Sequence, residues 1–414
     1  MPLSTSEHCI IVGASHGGVT AAFALRKEGW QGSITLIDGD PAIPYHRPPL
    51  SKAYLTQIDD ALPATLKPLA SYEKNNIRLV LGTQVESMSC QHKNVSLENG
   101  EVLPFDKLIL ATGAQPFIPP IIGLNKASNV FSLRNQADVE KIRTAIKKSA
   151  HKRVVIIGGG YIGLETAASI KKLGAEVTVL EREPRLLARV TSKKMSAFFE
   201  QLHTENGVNI KTSQHVKAIN KQDNLQTVLC ENGEQYLGDI IIIGAGIRVN
   251  QTLAEQAGLT IENGITVNSQ CQTSNNNIYA IGDCAFHLNE HYHRWLRLES
   301  VQNAVDQAKV AALSICNKVT RYDAIPWFWS DQYDVKLQMV GLSEGYTQLV
   351  IRQEVDDNKF SVWYFKDEIL LSVDAVNHAK AYVIASKLIK SKAVINKHAL
   401  ADNDILLSVD NLTN

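Results

Sequence analysis

The sequence predicts an α/β protein with two parallel-sheet units, followed by a smaller C-terminal α+β domain. The runs Cys9–Val12 and Val154–Ile157 are short and rich in β-branched residues, as expected of strands buried on both faces. A glycine-rich turn and a helical segment follow each run. The composition changes near Arg321, after which three of the five tryptophans and several strand-like runs occur. Two Rossmann-like units and a separate final domain account for this order.

The second unit is the clearer one and spans Arg153–Glu181. Three glycines in G-x-G-x-x-G spacing connect its first strand to a helix that begins near Tyr161: Gly158, Gly160 and Gly163. In this pattern the first glycine makes a tight turn, the second allows a pyrophosphate to approach the backbone, and the third lets helix and strand pack closely. A second strand, Val177–Leu180, leads to Glu181. A carboxylate there accepts both ribose hydroxyls and repels a 2′-phosphate, so the pattern predicts binding of NADH in preference to NADPH.

The first unit repeats this pattern with one departure. Its turn reads Gly13-Ala14-Ser15-His16-Gly17-Gly18, with Ser15 in place of the middle glycine. The predicted helix Val19–Glu28 and strand Ser33–Ile37 follow, and Asp38 takes the position of the ribose acid, with Asp40 as the alternative. Two dinucleotide folds in one chain indicate one cofactor that is held permanently and one that is exchanged.

The segment between these units contains further candidates. Prolines 44, 48 and 49 predict a rigid loop with no helix before Leu50, and this loop carries Arg47 and Lys52. Both cations either act at a site or are ordinary solvated charges. Asp283 ends the run Ile278–Asp283, at the strand edge where open α/β sheets bind ligands.

The remaining runs complete the predicted order of elements. Further strands are expected at Ile77–Val85, Asn94–Glu98, Leu108–Gly113, Val208–Val216, Thr227–Glu231 and Asp239–Gly246, and helices at Asp138–Ser149, Met195–Glu205 and Ser300–Cys316. The C-terminal domain is expected to contain strands at Leu337–Val340, Gln348–Arg352, Phe360–Phe365 and Ile369–Asp374 and a helix at Ala379–Lys390.

Composition excludes several classes of protein. Forty-two basic and 42 acidic residues give no net charge, so no overall field favours nucleic acid or an anionic membrane. The longest apolar stretch, around Ile240–Gly246, is too short to span a bilayer. Met1–Glu7 shows no signal or transit pattern, and the six scattered cysteines form no C-x-x-C motif or zinc-type spacing. We therefore expect reduced thiols, a cytoplasmic location and no metal site.

Together these residues resemble a known family. The runs P-Y-H-R-P-P-L-S-K-A-Y-L, G-G-G-Y-I-G-L-E, I-Y-A-I-G-D-C-A, R-W-L-R-L-E-S-V and P-W-F-W-S-D-Q-Y resemble the FAD- and NADH-dependent ferredoxin reductases of bacterial oxygenase systems, on the glutathione-reductase-like two-dinucleotide fold. The putidaredoxin-reductase group is the most similar. The resemblance implies an FAD-binding domain in two parts (1–112 and 241–320), an NAD-binding domain (113–240) and a C-terminal reductase domain (321–414).

The resemblance also implies site residues. FAD would contact Gly13, Ser15, Gly17, Asp38, Arg47, Lys52, Val85, Arg134, Asp283, Val301 and Trp329, with Trp329 covering the isoalloxazine ring. Plain core packing is the alternative for Trp329. NADH would contact Gly158, Gly160, Tyr161, Ile162, Gly163, Glu165, Glu181 and Gly246. Lys52, Glu165 and Trp329 would be the catalytic residues, with Lys52 paired to Glu165 beside the flavin.

The implied activity is transfer of hydride from NADH to FAD and of single electrons to a two-iron ferredoxin that supplies a haem monooxygenase or another oxygenase. An acidic ferredoxin would dock through Arg294, Arg297, Lys309 and Lys336, although ordinary solvated charge is the alternative for each. Disulfide reductases, NADH oxidases and peroxidases on this fold need a cysteine in the early loop, which here reads Pro48-Pro49-Leu50-Ser51-Lys52. Three alternatives stay open: a rubredoxin reductase, an apoptosis-inducing-factor-like signalling flavoprotein, and a scaffold that has lost FAD through Ser15.

Overall fold

The computed structural model describes residues 6–57, 62–222 and 225–413, which form two compact units. The first unit contains residues 6–47, 62–115 and 248–326, and the second contains 48–57, 116–222, 225–247 and 327–413. Most of Met1–Glu7, the segment in which no leader is predicted, lies outside the described residues. Within the described ranges, no helix is both long enough and apolar enough to cross a membrane.

A five-stranded parallel sheet forms the centre of the first unit. Its strands lie in the order Ile278–Ala280, Lys107–Leu110, His8–Val12, Ser33–Asp38 and Ile77–Leu81. Side chains of His8–Val12 alternate between two cores: Cys9 and Ile11 pack into one cluster, Ile10 and Val12 into the other. Burial on both faces explains the continuous apolar run in the sequence.

The other elements of the first unit surround this sheet. Its helices are His16–Glu28, Leu69–Lys74, Thr252–Gln256 and Val301–Ile315, with a 3₁₀ turn at Gly282–Cys284. One additional sheet contains Val85–Ser89, Asn94–Leu97 and Val102–Pro104, and another contains Ile261–Glu262, Gly264–Val267, Ala285–Asn289 and Arg294–Arg297.

The second unit has its own five-stranded parallel sheet. The strand order is Asn209–Lys211, Glu176–Leu180, Arg153–Ile157, Ile240–Ile243 and Val130–Ser132. The parallel sheets in both units confirm the two predicted Rossmann-like folds. The associated helices are Ala53–Thr56, Gln136–Lys148, Tyr161–Lys172 and Lys193–Glu205, with 3₁₀ turns at Pro48–Ser51 and Leu124–Lys126, and the antiparallel strands are Val216–Gln222, Leu225–Cys230 and Gln235–Gly238.

The C-terminal part of this unit is an antiparallel sheet with helices, as predicted. The strand order is Trp327–Gln332, Val335–Gly341, Ile369–Val376, Phe360–Lys366 and Gln348–Gln353. All four predicted strands and the helix Ala379–Ser391 are present. The edge strand Trp327–Gln332 and the short helices Lys397–Ala401 and Val409–Thr413 are additional to the prediction.

Two predicted strands are wrong as continuous elements. The expected run Ile77–Val85 is interrupted after Leu81, because Gly82 adopts a φ of +71° and turns the chain out of the parallel sheet. The expected run Val208–Val216 ends at Lys211, and Ser213 has a φ of +56° before the next strand begins at Val216. In both cases a residue in the left-handed region ends the extended conformation.

Candidate functional site

The glycine turn of the second unit has the geometry that its spacing predicts. Gly158 has a φ of +117°, and a Cβ atom built on it would lie 2.3 Å from the carbonyl oxygen of Gly244. A Cβ on Gly163 would lie 2.1 Å from the oxygen of Gly158, so a side chain there would separate helix from strand. Among the described residues, nothing lies within 4 Å of a Cβ on Gly160. The first and third glycines therefore make the turn and the close packing, and the second borders open space suited to a phosphate.

The first unit repeats this geometry, and it identifies a glycine that the sequence interpretation missed. A Cβ on Gly13 would lie 2.2 Å from the oxygen of Ala111, and one on Gly18 would lie 1.8 Å from the oxygen of Gly13. Gly18 is thus the counterpart of Gly163, and the spacing alone is sufficient to find it. A Cβ on Gly17 would meet its nearest neighbour, the Ile281 side chain, at an ordinary 3.5 Å. The contact of Gly17 with FAD stays a prediction.

Ser15 takes the place of the middle glycine without backbone strain. It precedes the helix His16–Glu28 with φ −87° and ψ −162°, close to the φ −80° and ψ 177° of Gly160. Any residue adopts this conformation. The hydroxyl lies 3.5 Å from Nδ1 of His16, and burial, then His46 and Arg47, lower the pKa of His16 to about 4. The departure at Ser15 therefore leaves the turn intact.

A carboxylate closes each glycine turn in the same way. In the first unit, Asp38 accepts hydrogen bonds from the backbone amides of Ala14 (2.5 Å) and Asp40 (2.8 Å). In the second, Glu181 accepts from the amides of Gly159 (2.6 Å) and Glu183 (2.8 Å). Each acid follows or ends the second strand of its unit, as predicted for a group that binds ribose hydroxyls.

The alternative ribose acid, Asp40, has a different partner. Its Oδ2 accepts a hydrogen bond of 2.7 Å from the hydroxyl of Tyr45, and the guanidinium of Arg47 lies 5.9 Å from the centre of the Tyr45 ring. Asp40 thus holds the proline-rich loop in place. Asp38 remains the better candidate for the ribose.

Lys52 and Glu165 form a buried ion pair in the second unit. Nζ of Lys52 lies 2.7 Å from Oε2 of Glu165, and the two side chains are 19% and 1% exposed. Ser51 donates to the same oxygen at 2.5 Å, and Ser330 donates to Oε1 at 2.7 Å. The pairing of Lys52 with Glu165 matches the arrangement that the family resemblance implies. Neither serine was predicted, because each lies more than 100 residues away from Glu165 along the chain.

The C-terminal strand Trp327–Gln332, which carries Ser330, also carries the aromatic residues Trp327, Phe328 and Trp329. Trp329 is half-buried, with its ring 5.6 Å from that of Trp327. Because side chains alternate along a strand, Trp329 lies on the opposite face from Ser330. Its contact with the isoalloxazine ring stays a prediction.

Two predicted NAD contacts lie at the start of the helix Tyr161–Lys172. The hydroxyl of Tyr161 donates to the Met339 sulfur at 3.0 Å, the Tyr161 ring lies 5.1 Å from that of Phe328, and burial raises the pKa of Tyr161 well above 10. Ile162 is 48% exposed. Tyr161 is therefore packed under the C-terminal sheet, whereas Ile162 is open to a ligand.

The other predicted contacts occupy turns and the ends of elements. Gly246 has a φ of +112°, the amide of Arg134 donates to Asp138, and Val85 begins a strand. Asp283 lies in the turn Gly282–Cys284, and Val301 begins a fifteen-residue helix. Their roles toward FAD or NADH stay predictions.

The four cations proposed for ferredoxin docking differ in their surroundings. Lys309 pairs with Asp306 at 3.0 Å, Lys336 is exposed, and the guanidinium of Arg294 lies 5.6 Å from the Tyr292 ring centre. Arg297 is only 13% exposed and pairs with Glu299 at 2.8 Å. Arg297 is therefore the least suited of the four to meet a partner's surface.

The cysteines have no arrangement suited to redox chemistry. All six are free thiols, and five are buried. Sγ of Cys284 lies 3.4 Å from the carbonyl oxygen of Leu110 and 3.3 Å from that of Ile281, and burial raises the pKa of this thiol, so Cys284 is a small buried residue. Within the described part of the chain, no group of three potential ligands could hold a metal ion.

Known proteins show the same organisation. Residues 7–308 match the family model of the pyridine nucleotide-disulphide oxidoreductases, and residues 327–408 match the Reductase C-terminal model. The chain is 41% identical over 410 residues to putidaredoxin reductase CamA of Pseudomonas putida (98% of this chain, 97% of that protein). It is 38% identical over 374 residues to a rubredoxin-NAD(+) reductase of Pseudomonas putida (90% and 96%).

A solved structure agrees with these matches. The crystal structure of the covalent putidaredoxin reductase–putidaredoxin complex contains a chain that aligns with a TM-score of 0.92 and 41% identity, covering 97% of each chain. The present chain therefore belongs to the pyridine nucleotide-disulphide oxidoreductase family, as a flavin oxidoreductase that ends in a Reductase C-terminal domain.

Proposed function

We propose that the chain is an NADH-dependent ferredoxin reductase that contains FAD. The observation that carries this proposal is the buried Lys52–Glu165 pair in a chain whose early loop has no cysteine. A disulfide reductase needs a thiol pair in that loop, whereas a flavin-to-metal electron transferase needs none. The 41% identity to a putidaredoxin reductase supports a ferredoxin as the electron acceptor.

The two glycine turns fit the two cofactors. In the first unit, FAD would be held by the turn at Gly13, by the start of the helix His16–Glu28 and by Asp38, whose carboxylate accepts a hydrogen bond from the Ala14 amide. In the second unit, the turn at Gly158 and the carboxylate of Glu181 would hold NADH. Helix N-termini favour the negative pyrophosphate in both places. The other residues that the resemblance implies are the proposed remaining contacts with FAD and NADH. The proposed domain boundaries follow residues 112, 240 and 320.

When bound, the flavin supplies the chemistry: it accepts a hydride and releases the electrons one at a time. The residues of the chain orient the reactants. Lys52 and Glu165 would orient the nicotinamide and tune the reduced flavin, and Trp329 would cover the isoalloxazine ring. Effective hydride transfer depends on such positioning.

A rubredoxin reductase is the alternative within the same chemistry, because a protein of that name is 38% identical to the chain. We favour a ferredoxin because the putidaredoxin reductase match is longer and of higher identity. Lys309, Lys336 and Arg294 are the proposed docking cations. We also propose a cytoplasmic location. A signalling flavoprotein is not favoured, because basic segments that bind nucleic acid are expected in that class and this chain has no net charge.

The test is anaerobic stopped-flow spectroscopy of the purified protein. A yellow preparation should be bleached by NADH, and mixing with a two-iron ferredoxin should restore the oxidised spectrum faster than mixing with a rubredoxin. A faster reaction with rubredoxin would favour a rubredoxin reductase over a ferredoxin reductase. A colourless protein that cannot be reconstituted with FAD would refute both and favour the scaffold that has lost FAD.

A further inference from the structure

A row of buried polar groups extends from the Glu165 carboxylate within the second unit. Ser330 donates to Oε1 of Glu165 at 2.7 Å, and Nε2 of Gln332 donates to the Ser330 hydroxyl at 3.1 Å. Oε1 of Gln332 lies 2.8 Å from Nε2 of His203. Glu165, Ser330, Gln332 and His203 are each at most 1% exposed. We call these four residues the Glu165 chain.

The hydrogen-bonding capacity of each group fixes the direction of the Glu165 chain. The carboxylate is paired with Lys52 and only accepts, so the Ser330 hydroxyl must donate its proton to it. The Ser330 oxygen then accepts from the amide nitrogen of Gln332, which leaves the amide oxygen to accept from His203. The imidazole must therefore carry its proton on Nε2. Each donor points toward Glu165.

The other nitrogen of His203 agrees with this assignment. Nδ1 lies 3.4 Å from the hydroxyl of Tyr333, which can donate to it. Burial lowers the pKa of His203, so the ring is neutral at pH 7, as a single donor at Nε2 requires. A charged imidazolium would have a proton on Nδ1 and lose this acceptor.

The two oxygens of Glu165 have different partners. Lys52 and Ser51 both donate to Oε2, whereas Ser330 donates to Oε1. The rotation of the carboxylate is therefore set from two sides, by the loop before the helix Ala53–Thr56 and by the strand Trp327–Gln332. A buried network in which each polar side-chain atom has a partner favours one arrangement of its members.

We propose that Ser330, Gln332 and His203 are positioning residues that hold the Glu165 carboxylate in one orientation for hydride transfer. This inference rests on the proposed function, because Glu165 is assigned there to orient the nicotinamide. The three residues act through Glu165 and do not touch the cofactors themselves. Their loss should lower the rate of the reductive step and leave NADH affinity nearly unchanged.

The first test is independent of turnover. In holoenzyme with ¹⁵N-labelled histidine, long-range ¹H–¹⁵N correlation spectra distinguish the two neutral tautomers, and His203→Gln identifies the resonance. We expect the Nε2–H tautomer at pH 7.5. A resonance typical of the Nδ1–H tautomer would reverse the direction of the Glu165 chain and overturn the proposal.

The second test separates kcat from KM in anaerobic flavin reduction by NADH. Ser330→Ala removes the donor to Oε1, and Gln332→Glu is isosteric but replaces the amide donor with an acceptor that competes with Glu165 for the serine proton. Each should lower the limiting rate by about tenfold or more, with KM for NADH changed less than about twofold. Ser330→Thr keeps the hydroxyl and should recover most of the rate.

The control makes the same chemical change elsewhere in the sheet. Gln348 is exposed and accepts a hydrogen bond from Lys397, so Gln348→Glu should react at the wild-type rate. Wild-type rates in both Ser330→Ala and Gln332→Glu would overturn the inference and leave the proposed function intact. A wild-type flavoprotein that NADH cannot reduce would instead refute the proposed function, and the tautomer measurement would still decide the direction of the Glu165 chain.

Discussion

Replacing Lys52 with methionine should destabilise the second unit, because it leaves the Glu165 carboxylate buried without its cation. Breaking a buried ion pair from one side costs about 3 to 5 kcal/mol. Lys52 is 19% exposed, and the hydroxyls of Ser51 and Ser330 still donate to the carboxylate. We therefore expect the lower end of that range, about 3 kcal/mol.

Thermal unfolding of a double-mutant cycle measures this cost. At 2 to 4 °C per kcal/mol, Lys52→Met should lower Tm by about 6 to 12 °C. Glu165→Gln removes the charge and leaves Lys52 some access to water, so it should cost less. Combined with Lys52→Met, it should recover about 2 kcal/mol, the coupling expected of neighbours in a buried network.

An exposed pair provides the control for this cycle. Lys309 pairs with Asp306, and the side chains are 56% and 35% exposed. Lys309→Met should change stability by less than about 1 kcal/mol, as is usual for surface ion pairs. If the Lys52–Glu165 coupling energy were as small as this, the pair would be solvated in solution, and the argument for a buried charge pair would be refuted.

Three further predictions follow from the glycine turns and from a buried histidine. Glu181→Ala should reduce the preference for NADH over NADPH by about tenfold, measured as the ratio of kcat/KM values, because the repulsion of a 2′-phosphate is lost; unchanged selectivity would place the ribose acid elsewhere. Gly18→Ala should prevent stable folding of the first unit, since its Cβ would lie 1.8 Å from a backbone oxygen, whereas Gly17→Ala, with 3.5 Å of space, should melt near the wild-type Tm. Burial lowers the pKa of His287 to about 4, so the folded state favours the neutral ring. The contribution of this preference to the free energy of unfolding is present above about pH 6.5 and is lost as the pH falls, by about 1.4 kcal/mol at pH 5.5. His287→Phe should remove that part of the pH dependence of Tm, and an unchanged slope would assign the dependence to other groups.

The sequence predicts the parallel sheets well because their strands are buried on both faces. Within them, Val154–Ile157 and Cys9–Val12 are continuous apolar runs, and a glycine with positive φ follows each one directly. The edge strand Trp327–Gln332 lacks this signal. It mixes aromatic with polar residues, and among the residues that the structure describes it pairs on one side only, with Val335–Gly341.

The site is predictable where function fixes a local spacing and not where the contacts are long-range. The spacing that identifies Gly163 also identifies Gly18. Glu165 must lie near the glycine turn of the second unit, because it comes two residues after Gly163. Ser330 and His203 lie 165 and 38 residues from Glu165 along the chain. No local pattern in a single sequence distinguishes such residues from ordinary buried polar side chains.

The hydrogen bond from Ser330 to Glu165 joins two regions that match separate family models, 7–308 and 327–408. These regions are consequently not interchangeable modules. A chimera that takes its last 90 or so residues from a relative keeps a complete nucleotide-binding region, yet it also needs a hydroxyl at the position of Ser330, in register with Leu337. Exchange of the C-terminal domain to change the electron-transfer partner must therefore preserve this buried hydrogen bond as well as the surface that meets the partner.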